Sequence, residues 1–173
     1  MVLIITGAGH SGKTLLAQRL LKKYGYPYIS IDHLKMGLIR SGYCSLTPES
    51  DDKDLQNYLW PIVREIIKTN VENRQNLIVE GCYVPFDYAS DFAAEYLCDI
   101  RFVCIAFSED YINKHFNDIV GFENAIEHRG YDSGLTRKAL ILEHAHYIAS
   151  CKKNELPIIL VDGSYEVDYN FET

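Results

Sequence analysis

Apolar residues along this chain fall into five short runs separated by longer stretches with helical spacing. Val2-Leu3-Ile4-Ile5 has no polar interruption, the pattern of a strand covered on both faces. Leu16, Leu20 and Tyr24 then recur at four-residue spacing with Ala17 and Leu21 beside them, one apolar helical face that Gly25 stops. Pro27-Tyr28-Ile29-Ser30-Ile31-Asp32 predicts a second strand ending in a carboxylate, and about His33 to Arg40 a helix broken by Ser41-Gly42. Thr47 as cap, Pro48 at the first helical position and the acids that follow predict another helix. A kink or restart is expected at Pro61, then continuation through Ile62, Ile66 and Ile67 to about Asn73.

Asn76-Leu77-Ile78-Val79-Glu80-Gly81 is the third predicted strand, again a continuous apolar run closed by an acid. Asp87 to Leu97 predicts a helix with Phe92 and Tyr96 on one side, and Ile100 to Phe107 a fourth strand. From Ser108 to about Glu155 the pattern is polar and helical, interrupted by an expected exposed turn at His128-Arg129-Gly130-Tyr131-Asp132-Ser133-Gly134. Pro157 to Asp162 is the fifth predicted strand, with Gly163-Ser164 opening a short tail. Strands alternating with helices predict an α/β protein of three layers, α/β/α, around a five-stranded parallel sheet. With 173 residues, 47% of them hydrophobic and 12% aromatic, one domain over 1–173 is expected.

Charge narrows the partners. Lys and Arg total 17 against 24 Asp and Glu, a net charge of −7, so the chain repels polyanions at long range and nucleic acid is not an expected partner. The five cysteines, Cys44, Cys82, Cys98, Cys104 and Cys151, form no C-x-x-C pair, which suggests neither a disulfide framework nor a zinc knuckle. Reduced thiols in a cytoplasmic protein are expected. No apolar run approaches a membrane span and no targeting segment is read, so no membrane partner is expected.

Directly after the first strand stands Gly7-Ala8-Gly9-His10-Ser11-Gly12-Lys13-Thr14, a gapless match to the Walker A pattern G-x-x-x-x-G-K-[ST]. A strand delivers the chain to a glycine turn whose N–H groups converge on an anion, and a helix begins at about Gly12. ATP is the expected ligand of this loop. Lys13 places charge between the β- and γ-phosphates, and the Thr14 hydroxyl is a ligand for Mg2+. His10 touches either phosphate or a lid. Guanine selectivity is unsupported, because Asn113-Lys114-His115-Phe116 starts an Asn-Lys-x-Asp stretch and fails at the acid. Ligands of parallel α/β sheets bind beyond the carboxyl ends of the strands, where Thr6, Asp32, Glu80 and Asp162 are all expected.

The chain resembles the P-loop kinases of small molecules, the group of adenylate kinase, shikimate kinase, gluconate kinase and chloramphenicol phosphotransferase. The resemblance rests on Gly7 to Thr14 and, more loosely, on the order of elements along nearly the whole chain. Tyr28 to Leu34 looks like the second-strand end of these kinases, where a carboxylate touches the acceptor hydroxyl, and Val79-Glu80-Gly81 like their third-strand acid-glycine pair. The segment near Arg129 to Arg137 is similar to their lid, and Asp162-Gly163-Ser164 to the turn that passes the adenine. The resemblance thus implies P-loop kinase topology with a short lid, an acceptor-binding helical region about 33–74 and a lid region about 113–137.

Roles follow for particular residues. Asp32 either orients and deprotonates the acceptor hydroxyl or caps the helix behind it. Glu80 either holds Mg2+ through water or binds the acceptor. Arg129, with Arg137 second, is the candidate cation for the transition state, and Arg40 binds an anionic group of the acceptor or lies at the surface. Tyr83, Phe86 and Trp60 line the acceptor pocket or the core. His144 and His146 are two apart and share no helical face, so a metal pair is not expected. Nucleoside monophosphate kinases follow the third-strand pair with an arginine, and Cys82-Tyr83-Val84-Pro85-Phe86 contains none. The expected function is therefore transfer of the γ-phosphoryl group of ATP to a hydroxyl or anionic group of a small metabolite, with a hydroxylated one such as a sugar acid as the first acceptor class. A nucleoside monophosphate is the second acceptor class, and a non-catalytic ATP-binding switch acting on a partner protein is the alternative of another kind. The number of subunits is left open.

Overall fold

Val2–Gly7 forms β1 at the centre of the sheet because all six of its residues are buried and its side chains alternate between two cores. Val2 and Ile4 enter one cluster, and Leu3 and Ile5 the other. The computed structural model describes residues 1–122 and 135–171. Along the chain β1 is followed by α1 (Lys13–Tyr24), β2 (Tyr28–Ser30), α2 (Ile31–Arg40), α3 (Asp52–Glu72), β3 (Leu77–Glu80), a 3-10 turn at Tyr88–Asp91 and α4 (Ala94–Leu97). Then come β4 (Ile100–Phe107), α5 (Glu109–Gly121), α6 (Arg137–Lys153) and β5 (Ile158–Val161).

The five strands pair in parallel in the order β2-β3-β1-β4-β5. Chain order therefore reverses at β1, which opens a crevice at the carboxyl ends of β1, β3 and β4. The register sets Glu80 beside Ile5 on one side and Ser30 on the other, so the acid ends the sheet next to β1. One core receives Ile31 of α2 and Leu55, Leu59, Trp60, Val63 and Ile67 of α3. The opposite core receives Leu16, Ala17 and Leu20 of α1 and Ile112 and Ile119 of α5. Helix α6 serves both, giving Leu140 to the second and Tyr147 and Cys151 to the first. The three-layer α/β/α arrangement read from the pattern is the one observed.

Several boundaries differ from expectation. The second strand ends at Ser30 and the helix starts at Ile31, whose fully buried side chain pulls the chain down onto the core. Asp32 consequently sits in the first turn of α2 rather than at the end of a strand, and the N-cap is Ser30. Helix α3 starts after Asp51, whose carboxylate accepts from Lys53 N at 2.8 Å, and not at Thr47-Pro48. Residues 47–50 close instead as a turn, with Ser50 N donating to Thr47 O at 3.1 Å. Nor does Pro61 restart the helix, which runs unbroken from Asp52 to Glu72. Trp60, Val63 and Ile67 are buried on one side of it, while Pro61 and Asn57, one turn earlier, face solvent. Packing thus outweighs the lost hydrogen bond, and water is free to take the carbonyl left over. The helix expected over Asp87–Leu97 is two short pieces, because Phe92 turns extended to insert into the core between them. The turn expected at 128–134 lies outside the described residues.

A proline held in a continuous helix only by its neighbours makes a simple prediction. Pro61→Ala restores the missing N–H and should stabilise the protein by about 1–2 kcal/mol, part of the helix gain being offset by a more flexible unfolded chain. Thermal unfolding would show a Tm raised by several degrees, and an unchanged or lower Tm would contradict the packing account.

Candidate functional site

At the end of β1 the chain comes so close to β4 that a Cβ on Gly7 would collide with the Ile105 carbonyl. The turn that follows has His10 at φ 59 and Gly12 at φ 89, and Gly12 is the N-cap of α1. A Cβ on Gly12 would strike the Tyr165 hydroxyl, which donates to Ser11 O at 3.3 Å from the segment beyond β5. Left-handed backbone at these two residues turns successive N–H groups inward, and His10 adopts it without glycine's freedom. Among the described residues no side chain caps α1 by a hydrogen bond, and its first turn holds no acid. The Ser11 hydroxyl is buried and has no hydrogen-bond partner among the described residues. Lys13 is buried, and its ammonium donates to Ala8 O at 2.7 Å.

Acids and a thiol surround that ammonium. Burial works to lower the Lys13 pKa, but Cys82, Glu80 and Asp32 together raise it above the ordinary value, which keeps the side chain charged. Glu80 is buried at the end of β3, and Thr6 donates to Gly81 O at 2.9 Å, fastening the ends of β1 and β3 together. Cys82 is partly buried, and desolvation pushes its thiol up despite Lys13, so it is no nucleophile at neutral pH. Asp32 pairs with Lys35 at 2.9 Å, and Lys35 also donates to the Tyr83 hydroxyl at 2.9 Å. Burial lowers the Lys35 pKa, while Tyr83 and Asp32 raise it by more. Lys35 was not among the residues expected here, although it follows Asp32 at the spacing of one helical turn, the signal that would have placed it beside that acid.

The larger surprise is α6. Glu143 accepts from Gly9 N at 2.6 Å, and the next residue, His144, has Nε2 3.2 Å from Gly9 O, so two consecutive side chains hold both sides of one loop residue. Phe107 N donates to His144 Nδ1 at 2.7 Å, which leaves the proton on Nε2 to donate to Gly9. One turn further on, the Tyr147 hydroxyl donates to Cys82 O at 3.1 Å. Leu140, His144, Tyr147 and Cys151 are the buried residues of α6 and recur at helical spacing. That stripe, rather than any pairing of His144 with His146, marked the histidine in the sequence.

Other expected residues stand apart. Arg40 is exposed at the last position of α2, about 12 Å along the axis from Asp32. Arg137 opens α6 and lies over the Phe116 ring at 5.1 Å, joining α6 to α5. Arg129 lies outside the described residues. Gly163 is exposed after β5, and the neighbouring Asp162 carboxylate accepts from the Ser108 hydroxyl. Trp60 is core, with its indole N–H donating to Asp91 at 2.7 Å, whereas Tyr83 borders the Asp32–Lys35 pair. Phe86 packs edge-on against Tyr147 with ring centroids 5.4 Å apart. Thr14, in the first turn of α1, is partly exposed. Among the described residues no three His, Cys, Asp or Glu side chains form a ready metal site, and no helix is long and apolar enough to cross a membrane.

Strand order, phosphate loop and strand-end acids together give the chain the fold of the P-loop small-molecule kinases. A gluconokinase from Sinorhizobium meliloti 1021 superposes with a TM-score of 0.55 at 18% identity, over 95% of this chain and 83% of that one. A sugar kinase from Janibacter sp. HTCC2649 does so with a TM-score of 0.52 at 13% identity, over 93% of this chain and 84% of that one. No family model matches the chain, and no curated protein matches it in sequence.

Burial lowers the His144 pKa from its ordinary 6.5 to about 4, against the pull of the Gly9 carbonyl, and the charge on Lys13 lowers it further. As pH falls the unfolded chain binds this proton first, so the contribution is whole above about 6.5 and lost toward about 4. The loss should be about 3 kcal/mol. Urea unfolding across this range would show it as a slope that His144→Gln flattens, and equal slopes in the two proteins would contradict a buried neutral imidazole.

Proposed function

We propose that this protein is an ATP-dependent phosphotransferase that moves the γ-phosphoryl group of ATP to a hydroxyl of a small metabolite. The observation that carries the reading is electrostatic: the buried Lys13 ammonium of the phosphate loop lies within the field of both Glu80 and Asp32. A cation that meets phosphate and an acid that meets a hydroxyl thus face one another at the carboxyl end of the sheet. The Ser11 hydroxyl and the start of α1 fit a phosphate tail, because both leave donors unused among the described residues.

In this reading the loop amides and Lys13 hold the β- and γ-phosphates. Asp32, anchored by Lys35, orients the acceptor hydroxyl and takes its proton as the oxygen bonds to γ-phosphorus and the bridge to ADP breaks. Mg2+, taken by Thr14 and reached from Glu80 through water, would neutralise charge on the phosphates. Of the α2 cations Lys35, rather than Arg40, adjoins Asp32 and is the nearer contact for an acceptor. Arg129 and Arg137 are the proposed lid cations, and Arg137 would have to leave Phe116 to serve. A gluconokinase and a sugar kinase share the fold, which supports a polyhydroxylated acceptor. The absence of an arginine from Cys82 to Phe86 weighs against a nucleoside monophosphate.

Incubation with ATP and Mg2+ against a panel of sugars, sugar acids and nucleoside monophosphates should yield one phosphorylated product. Asp32→Asn should lower its turnover by about 10²–10⁴-fold while ATP affinity stays within about threefold. Turnover equal to wild type removes Asp32 as the base. Tight ATP binding with no transfer to any acceptor would instead describe a nucleotide-dependent switch.

A further inference from the structure

Glu143 holds the phosphate loop with the charge that the loop is built to receive. Its Oε1 accepts the Gly9 N–H at 2.6 Å, and a Cβ on Gly9 would lie 3.2 and 3.4 Å from its two oxygens. The carboxylate therefore covers the loop at the residue between Ala8, whose carbonyl takes the Lys13 ammonium at 2.7 Å, and His10. The loop's cation and one of its N–H groups are thus engaged from within the chain. A polyphosphate arriving at the same loop would meet this negative charge at a partly buried position, where salt screens repulsion less than it does at a fully exposed one.

The neighbouring residue holds the loop without a charge. His144 is fully inside, neutral, and fixed by Phe107 and Gly9, so it can hold the loop whether or not an anion is present. Glu143 is only partly buried and belongs to the same turn, so its flexible side chain can swing towards solvent while the His144 contacts stay in place. Consecutive residues of α6 thereby divide two tasks, one of shape and one of charge. We infer that Glu143 sets the affinity of the nucleotide site: its carboxylate, bonded to Gly9 N, opposes the triphosphate of an incoming nucleotide, which displaces it. This inference rests on the proposed reading of the loop as a triphosphate site.

Glu143→Gln keeps the length of the side chain and an oxygen for the Gly9 N–H while removing the charge, and so separates charge from support. Calorimetric titration of the full chain with ATP–Mg2+ should show binding about tenfold tighter in Glu143→Gln than in wild type. The gain should shrink as salt is raised and be absent for adenosine, which carries no phosphate. Glu143→Ala should move affinity in the same direction, and in wild type the Gly9 amide proton resonance should shift upfield on ATP addition as the short bond to the carboxylate is lost. Wild-type heat with ATP but equal or weaker binding by Glu143→Gln overturns this inference alone and leaves Glu143 as a support for the loop. No heat from either protein with any nucleoside triphosphate overturns the triphosphate reading and this inference with it.

Discussion

The structure depends on how the peptide groups around Gly9 are held. A loop whose N–H groups point inward repels itself unless something fixes its shape, and here the fixing comes from α6 through Glu143 and His144. Phe107 ties the same histidine to the end of β4, and Tyr147 ties α6 to the end of β3. Two strand ends and the loop that follows β1 are therefore braced by side chains from one helix. Because His144 must be neutral to accept from Phe107 and donate to Gly9 at once, the brace needs a deeply buried imidazole, and the surrounding apolar packing supplies that environment.

Around this brace the acids become intelligible. Glu80 and Asp32 would be costly so close to the sheet without a cation, and Lys13 and Lys35 are the cations that face them. The pairing sets charged side chains, rather than apolar ones, around Lys13 where the sheet ends.

The fold was largely legible from periodicity, because uninterrupted runs such as Val2 to Ile5 and Leu77 to Val79 admit little but buried parallel strands. The turn after β1 was legible for a different reason, its glycines at 7 and 12 being tied to backbone geometry. Boundaries failed where tertiary packing overrode local preference: Ile31 drew the start of α2 forward past Asp32, and the buried side of α3 carried the helix through Pro61. Contacts at long range failed most. Lys35 needed only its helical spacing from Asp32, but Glu143 lies 134 residues from its partner Gly9, and no local pattern in the chain announces that meeting.

The reach of those contacts bears on the order in which a growing polypeptide acquires its shape. Gly9 waits for partners 134 and 135 residues downstream and Ser11 for one 154 residues downstream, while β1 is made almost first. During synthesis this fully buried central strand therefore emerges with neither of its neighbours, β3 and β4, yet translated. A ribosome delivers residues at about 5–20 per second, so that strand stays uncovered for several seconds and is a natural client for a chaperone.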